Sequence, residues 1–221
     1  MEKIIFFDLD NTLYDSEDYY SGAFKEISLY LSKKYSLEDK KIYSYFLSFW
    51  KTKTSMYPFL FNRMLKKFNL EKEINNVINL FQEYSGNLKL DKEVSEVFEY
   101  LKKKGHKIGL ITDGNVERQK RKLKLLGINN FFDVTIFTKE FNSPKPSIIP
   151  FKIAIEKSGL SPESCVYIGD NPLTDFEGAK KAGMKTIRLL KGEFKNLSTT
   201  SDIDYEIASL KNTINLFEKW N

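Results

Sequence analysis

A short apolar strand pattern, Ile4 to Phe7, is followed by four helical patterns with no strand among them and then by a regular alternation of helix and strand, an order that few folds accommodate. The helical patterns run through Tyr20, Phe24, Ile27 and Leu31; Ile42, Phe46 and Phe49; Phe61, Met64, Leu65 and Phe68; and Ile74, Val77, Ile78 and Phe81. Each recurs at about 3.6 residues, the spacing of one helix face. From Asp91 onward, strands are expected at Lys107 to Thr112, Val134 to Phe137, Cys165 to Gly169 and Lys185 to Leu189, with helices between them. A short strand near Ile203 to Glu206 and a last helix with Ile207, Leu210, Ile214 and Phe217 on one side complete the pattern. Such alternation predicts a parallel sheet covered on both faces, because parallel strands need crossover helices that return across a face. The fold class expected is α/β, a doubly wound parallel sheet, with an inserted all-helical unit. The boundaries read from the sequence are 1–16 and 87–221 for the sheet domain and 17–86 for the insertion.

A chain of 221 residues, 41% of them hydrophobic, is long enough for one large core or for a core carrying a smaller insertion. No apolar run approaches a membrane span, and Ile4 to Phe7 is too short and too soon followed by Asp8 for a signal peptide. The expectation is a folded cytoplasmic protein with no membrane partner. The single cysteine, Cys165, excludes an internal disulfide, and with a single histidine, His106, no zinc site of thiolates and imidazoles can be assembled. Serine-histidine or cysteine-histidine catalysis would have to use His106, which lies beside Gly105 at the start of an expected strand, the end remote from the ligand edge. A structural or surface role suits it better. Lysine and arginine exceed aspartate and glutamate by 35 to 30, a net charge of +5. The densest basic runs, Lys102-Lys103-Lys104 and Arg118 to Lys124, fall on expected helices whose other faces are apolar: Val94, Val97, Phe98 and Leu101 in one, Leu123 and Leu126 in the other. Solvated helix faces explain both runs, and no nucleic-acid partner is expected.

Polar residues gather where the expected strands end. Asp8 and Asp10, two residues apart as the first strand runs out, turn to one face of an extended chain. They stand at the carboxyl edge, where open α/β sheets bind ligands. Carboxylates so placed repel unless a cation sits between them or one takes up a proton, whereas a solvated strand end or an Asx turn before Asn11-Thr12 is the plainer reading. The next strand delivers Thr112-Asp113-Gly114-Asn115 to the start of a helix. A hydroxyl, a glycine that lets backbone approach, and free N–H groups make an anion site, although Thr and Asp are also ordinary helix caps. In Asn142-Ser143-Pro144-Lys145-Pro146, two prolines restrict the backbone on either side of a lysine. The strand from Cys165 delivers Asp170-Asn171-Pro172-Leu173-Thr174-Asp175. Each signal is modest alone; four at successive strand ends are not.

In this order the motifs closely resemble the haloacid dehalogenase-like superfamily, and within it the phosphatase branch with a helical cap inserted between the first and second motifs. Asp8-Leu9-Asp10-Asn11-Thr12-Leu13 resembles the first motif, Thr112 the second, Lys145 the third, and Gly169-Asp170-Asn171 through Asp175 the fourth, so the resemblance covers essentially the whole chain. The stretch from Gly114 to Gly127, with Gln119, Lys122-Leu123 and Leu126-Gly127, is similar to members acting on small phosphate esters. The resemblance implies a Rossmann-like core and a magnesium-dependent phosphatase, a hydrolase acting on a small-molecule phosphate monoester such as a sugar phosphate or nucleotide. Asp8 would be the nucleophile that forms an aspartyl-phosphate, and Asp10 the general acid and base. Asp8, Asp170 and the main-chain carbonyl of Asp10 would hold Mg²⁺. Thr112, the N–H groups of Asp113 and Gly114, and the Lys145 ammonium would bind the phosphoryl oxygens as charge redistributes, with Thr112 and Lys145 in catalytic roles. Asn171 and Asp175 would support the site, Asp175 by orienting Lys145. Asp10 separates this chain from dehalogenases, which lack that second Asp because a halide leaves without a proton. Asp113 departs from the pattern, standing where many relatives carry Asn, and its charge bears on substrate identity.

The insertion is expected to act as a lid hinged near Tyr14, Asp15 and Ser16. Arg63, Phe49, Trp50, Tyr57 and Phe59 are candidates for reaching a sugar or base, although aromatics at helical spacing are more often core. Other readings use the same residues. A phosphomutase would retain the phosphate and return it to its product. A non-enzymatic phospho-accepting switch also gathers Asp, Thr and Lys around Mg²⁺, but its acidic pair does not supply the phosphorylated Asp, and a compact receiver has no place for the insertion. A silent scaffold would be expected to have lost some of Asp8, Asp10, Thr112, Lys145 or Asp170, and all five are present. The sequence specifies no oligomeric state.

Overall fold

The computed structural model describes residues 2–220, which form two compact units: the chain up to Asp15 together with Lys89 onward, and Ser16–Leu88. The first unit holds β1 (Ile4–Phe7), the second unit α1 (Ser16–Tyr35), α2 (Asp39–Lys53), α3 (Leu60–Lys66) and α4 (Ile74–Glu83). The first unit then resumes with α5 (Lys92–Lys103), β2 (Lys107–Thr112), α6 (Val116–Leu125), β3 (Val134–Phe137), α7 (Ile149–Ser158), β4 (Cys165–Gly169), α8 (Phe176–Lys181), β5 (Lys185–Leu189), β6 (Tyr205–Ile207) and α9 (Asn212–Lys219).

Among the described residues, six strands form one sheet in the order β3-β2-β1-β4-β5-β6, every pair parallel. The central strand β1 reads Ile-Ile-Phe-Phe with all four residues buried, as a strand covered on both faces must. Alternation divides these side chains between two cores. Ile4 and Phe6 join Phe151 and Ala154 of α7, Phe176 and Ala179 of α8, and Tyr167 of β4. Phe7 turns the other way, where its ring meets that of Phe98 on α5 at 5.3 Å. The α/β doubly wound sheet expected from the alternating pattern is the fold observed. At its far edge the strand lies at Tyr205–Ile207 rather than 203–206, and α9 starts only at Asn212. Ile207, expected on the last helix, therefore pairs with Leu189 in the sheet. Apolar residues spaced over so few positions satisfy both periods, and only the neighbouring strand decides between them.

In the helical unit, α1 packs on α2 and α4, and α3 fills between α2 and α4. Its core is aromatic. Tyr20 stacks on Trp50 at 4.7 Å with the planes 11° apart, and Phe24 and Phe81 meet Phe61 edge-on. Trp50, not Phe49, is the buried residue at the end of α2, so the Trp50 offered as a ligand contact is core. The third helix is also shorter than its pattern: Leu60 is buried beside the expected Met64 and Leu65, Phe61 packs against Phe24 and Phe81, and Phe68 lies past the helix end. Thr54 and Phe59, both at positive φ (66° and 58°), interrupt the chain before it. Phe59 is 74% exposed, whereas Tyr57 packs edge-on against Phe49 at 5.7 Å. No helix among the described residues is long and apolar enough to cross a membrane.

Candidate active site

Strand order reverses between β1, which continues outward through β2 and β3, and β4, from which the chain runs out through β5 to β6. The crevice outside the carboxyl ends at such a switch point is where open parallel sheets take ligands. Asp8 follows β1 and Asp170 follows β4; the Asp8 N–H donates to the Ile168 carbonyl at 2.8 Å, continuing the ladder so that the two carboxylates emerge side by side. Thr112 closes β2 on the other flank. All three are buried.

Lys145 is the centre of charge. Its Nζ donates to Asp8 Oδ1 at 2.6 Å, to Asp175 Oδ1 at 2.6 Å and to the Tyr167 hydroxyl at 2.9 Å. Burial alone would favour the neutral amine, but Asp175 and then Asp8 hold its pKa well above the ordinary value. Asp175 heads α8 without capping it; its Oδ2 instead accepts the Asn171 N–H at 2.9 Å, and the Asn171 Oδ1 accepts the Leu173 N–H at 3.0 Å. The loop after β4 is thus folded around the carboxylate that aims Lys145. Glycine at position 169 makes this possible: a Cβ there would stand 2.4 Å from Asp175 Oδ2.

Asp113 serves the same lysine from the other side. Its Oδ1 accepts from Thr138 Oγ1 at 2.5 Å and from the Lys145 N–H at 3.2 Å, tying the lysine loop to the end of β2. Next to it Gly114, at φ 107°, turns the chain into α6, whose first residue is preceded by Asn115 accepting the Arg118 N–H at 3.0 Å. The glycine takes a backbone angle that a side chain resists.

Asp10 is held by a different set of groups. Its Oδ1 accepts from Lys122 Nζ at 2.6 Å and from the Tyr14 hydroxyl. Its Oδ2 accepts from Gln119 Nε2 at 3.0 Å, and the same amide nitrogen donates to Thr112 Oγ1 at 2.7 Å. Burial raises the pKa of Asp10, but the Lys122 charge and the hydrogen bonds from Lys122, Tyr14 and Gln119 outweigh it and hold the carboxyl at about 2. Burial pulls Lys122 down to about 8 against the opposing charge of Asp10. The expectation that Arg118 to Lys124 forms a solvated face is therefore corrected: Gln119 and Lys122 are both buried. Their three-residue spacing, in phase with Leu123 and Leu126, is the signal that could have found them. Tyr167 was missed as well, although a tyrosine in a fully buried strand needs a partner for its hydroxyl. His106, just before β2, is buried and its Nδ1 accepts the Lys3 N–H at 3.3 Å, far from the carboxyl edge.

Asp8 and Asp170 are the acids whose ionised forms burial disfavours. Burial, offset in part by Lys145 and reinforced by Asp175 and Asp10, pushes Asp8 up to about 7. Burial, with Asp175 and Asp8 beside it, raises Asp170 well above the carboxylate range despite a hydrogen bond from Asn11. Asp170 Oδ2 is buried and has no hydrogen-bond partner among the described residues. A cation between these two carboxylates would satisfy that oxygen and relieve both pKa values. No three His, Cys, Asp or Glu side chains gather as a metal cluster among the described residues. Two carboxylates with main-chain, water and ligand oxygens suit a hard ion such as Mg²⁺, which keeps much of its water, and do not suit zinc.

Comparison with known proteins follows the same lines. A family model described as haloacid dehalogenase-like hydrolase matches residues 5–189. The chain is 32% identical over 221 residues to the glyceraldehyde 3-phosphate phosphatase of Methanocaldococcus jannaschii, covering 98% of this chain and 97% of that one. It is 29% identical over 205 residues to the phosphoglycolate phosphatase of Aquifex aeolicus, covering 90% of each. A crystal structure of a HAD phosphatase from Thermococcus onnurineus superposes with a TM-score of 0.69 at 26% identity, covering 98% of both chains.

Proposed function

The chain belongs to the haloacid dehalogenase-like hydrolases, and from that membership we propose that it is a magnesium-dependent phosphatase acting on a small phosphate monoester. The observation that carries this reading is the pairing at the switch point: Asp8 held by Lys145, and Asp10 two residues on, held by separate donors.

The Asp8 carboxylate attacks phosphorus as the ester P–O bond breaks, giving an aspartyl-phosphate. Asp10 gives its proton to the departing alkoxide. Water then attacks the phosphorus, Asp10 takes a proton from it, and the P–O bond to Asp8 breaks to release inorganic phosphate. As it stands, Asp10 is an ionised carboxylate, the form that accepts a proton from water; a phosphate dianion beside it raises its proton affinity toward the form that donates. Thr112 and the N–H groups of Asp113 and Gly114 hold phosphoryl oxygens, with Lys145 placed to meet the charge that develops on them. Asp8, Asp170 and the Asp10 carbonyl would hold Mg²⁺, which when bound supplies electrophilic stabilisation to the phosphoryl oxygens. Asp175, Asn171 and Asp113 fix Lys145 and its loop.

The substrates named for the relatives, glyceraldehyde 3-phosphate and phosphoglycolate, are small and carry their phosphate on a primary carbon, and a molecule of that class is the first choice here. The 17–86 insertion is the part proposed to set which ester is accepted, because the groups gathered at the sheet edge address only phosphate and metal.

The test is phosphate release from glyceraldehyde 3-phosphate, phosphoglycolate and a nucleoside monophosphate, with Mg²⁺ and with EDTA, by the native protein and by Asp8→Asn. Release that needs the metal and falls on the order of a thousandfold in a folded Asp8→Asn is expected. Undiminished turnover by Asp8→Asn would refute the nucleophile.

A further inference from the structure

We propose that Lys122 and Gln119 are positioning residues for the general acid, fixing the Asp10 carboxylate where it meets the leaving oxygen. The inference rests on the reading of Asp8 as nucleophile and Asp10 as acid and base.

Asp10 is more exposed than Asp8 or Asp175, with its side chain 32% accessible, so close packing alone does not fix its direction. Its neighbours do. Lys122 reaches Oδ1 and Gln119 reaches Oδ2, so both oxygens are held and the plane of the carboxylate is set. Lys122 is an ammonium with 3% of its side chain accessible, a placement that is costly without a dedicated anion. Asp10 is the carboxylate to which it donates. Gln119 adds a second constraint. One amide nitrogen bridges Asp10 and the Thr112 hydroxyl, so the acid is referenced directly to a group that holds phosphate. Both side chains come from α6, the helix whose N-terminus forms the phosphate turn. One rigid element therefore sets the distance between the phosphate and the proton donor, which is the distance general acid catalysis depends on.

The alternative is that Lys122 acts on the phosphate itself, and leaving-group dependence separates the two. An alkyl ester needs a proton on its departing oxygen; 2,4-dinitrophenyl phosphate does not. The quantity to compare is kcat/KM, which reports formation of the aspartyl-phosphate and excludes its hydrolysis. In Lys122→Met, kcat/KM for glyceraldehyde 3-phosphate should fall by about 30-fold or more, with the loss in kcat rather than KM. For 2,4-dinitrophenyl phosphate it should fall less than about threefold, and Gln119→Leu should show the same selectivity. Lys122→Arg, which keeps a donor on Oδ1, should recover part of the loss. The activated ester also reports that the variant is folded, and Lys122→Gln carries the same comparison if Lys122→Met is not. Equal losses on both esters, or no loss on either, would overturn the proposal. A native protein that releases phosphate from neither ester would instead sink the phosphatase reading, and the inference with it.

Discussion

Glu73 is a charged residue on the helical unit with 3% exposure, and its burial is tolerated because every neighbour is a donor. The Tyr35 hydroxyl reaches it at 2.5 Å, Asn76 Nδ2 and the Tyr30 hydroxyl at 2.8 Å, and Lys34 Nζ at 2.9 Å. Hydrogen bonds from Tyr35, Asn76 and Lys34 outweigh its burial and hold the carboxyl at about 2 against an ordinary 4.5. Between those values the unfolded chain binds more protons than the folded one. The contribution is thus complete above about pH 4.5 and is lost as pH falls toward about 2. Thermal melts of the native protein and Glu73→Gln over that range should converge as the pH drops, and a constant gap would count against the network. At neutral pH, Glu73→Ala should destabilise the helical unit by roughly 1–3 kcal/mol, the cost of stranding its donors, as read by urea unfolding. Such residues were hard to read in the sequence. A glutamate in Glu71-Lys72-Glu73 and a lysine in Arg121-Lys122 look like surface, and only the arriving partners, 38 and 43 residues away for the tyrosines, turn one of them inward.

At the scale of elements, β4 and the loop behind it show how a short segment organises the site. The strand was legible from its apolar run, and so was the polar loop; the residues alone read Asp175 as a helix cap, and it was the family resemblance that implied its turn toward Lys145. Gly169→Ala tests that arrangement. The new methyl would stand 2.4 Å from an Asp175 oxygen already engaged by the Asn171 N–H, so the carboxylate must move. Stability should drop by about 1–3 kcal/mol in urea. Lys145 should lose its orientation, with kcat for a phosphate ester falling about tenfold or more. Full activity in a folded Gly169→Ala would show that Asp175 does not govern Lys145. α6 gives the contrasting case: its start after Thr112-Asp113-Gly114-Asn115 was legible, but its charge-rich composition hid the buried side that faces Asp10.

For the molecule as a whole, the buried carboxyls of Asp8 and Asp170, whose ionised forms burial disfavours, predict a link between ion binding and folding. An ion that binds only the folded sheet unit at about 100 times its Kd stabilises it by about 2.7 kcal/mol. Added Mg²⁺ should therefore raise the Tm by several degrees, at about 2–4 °C per kcal/mol for a chain of this size. In Asp170→Asn the rise should vanish, while the metal-free Tm stays equal to the native value or exceeds it, since a buried charge has been removed. A native protein whose Tm ignores Mg²⁺ would argue against the carboxylate pair as its ligand.

What the sequence determined by itself is the architecture and the gathering of polar residues at one edge of the sheet; the reactive roles proposed for them come with the family resemblance. Period-two and helical spacing name the elements, and parallel strands joined by helices must bring strand ends to one edge, so Asp8, Thr112, Lys145 and Asp170 were expected together before any coordinates. What the tertiary structure alone decided is how those groups are otherwise held: Lys145 by Tyr167 and Asp113 besides the Asp175 that the resemblance implied, Asp10 by Lys122, Gln119 and Tyr14, and Trp50 in the helical core rather than at a ligand. The reason is physical. Periodicity records which face a residue is on, a local property of the backbone. Whether a buried polar atom is satisfied depends on partners from distant segments, and those become neighbours only once the chain has folded.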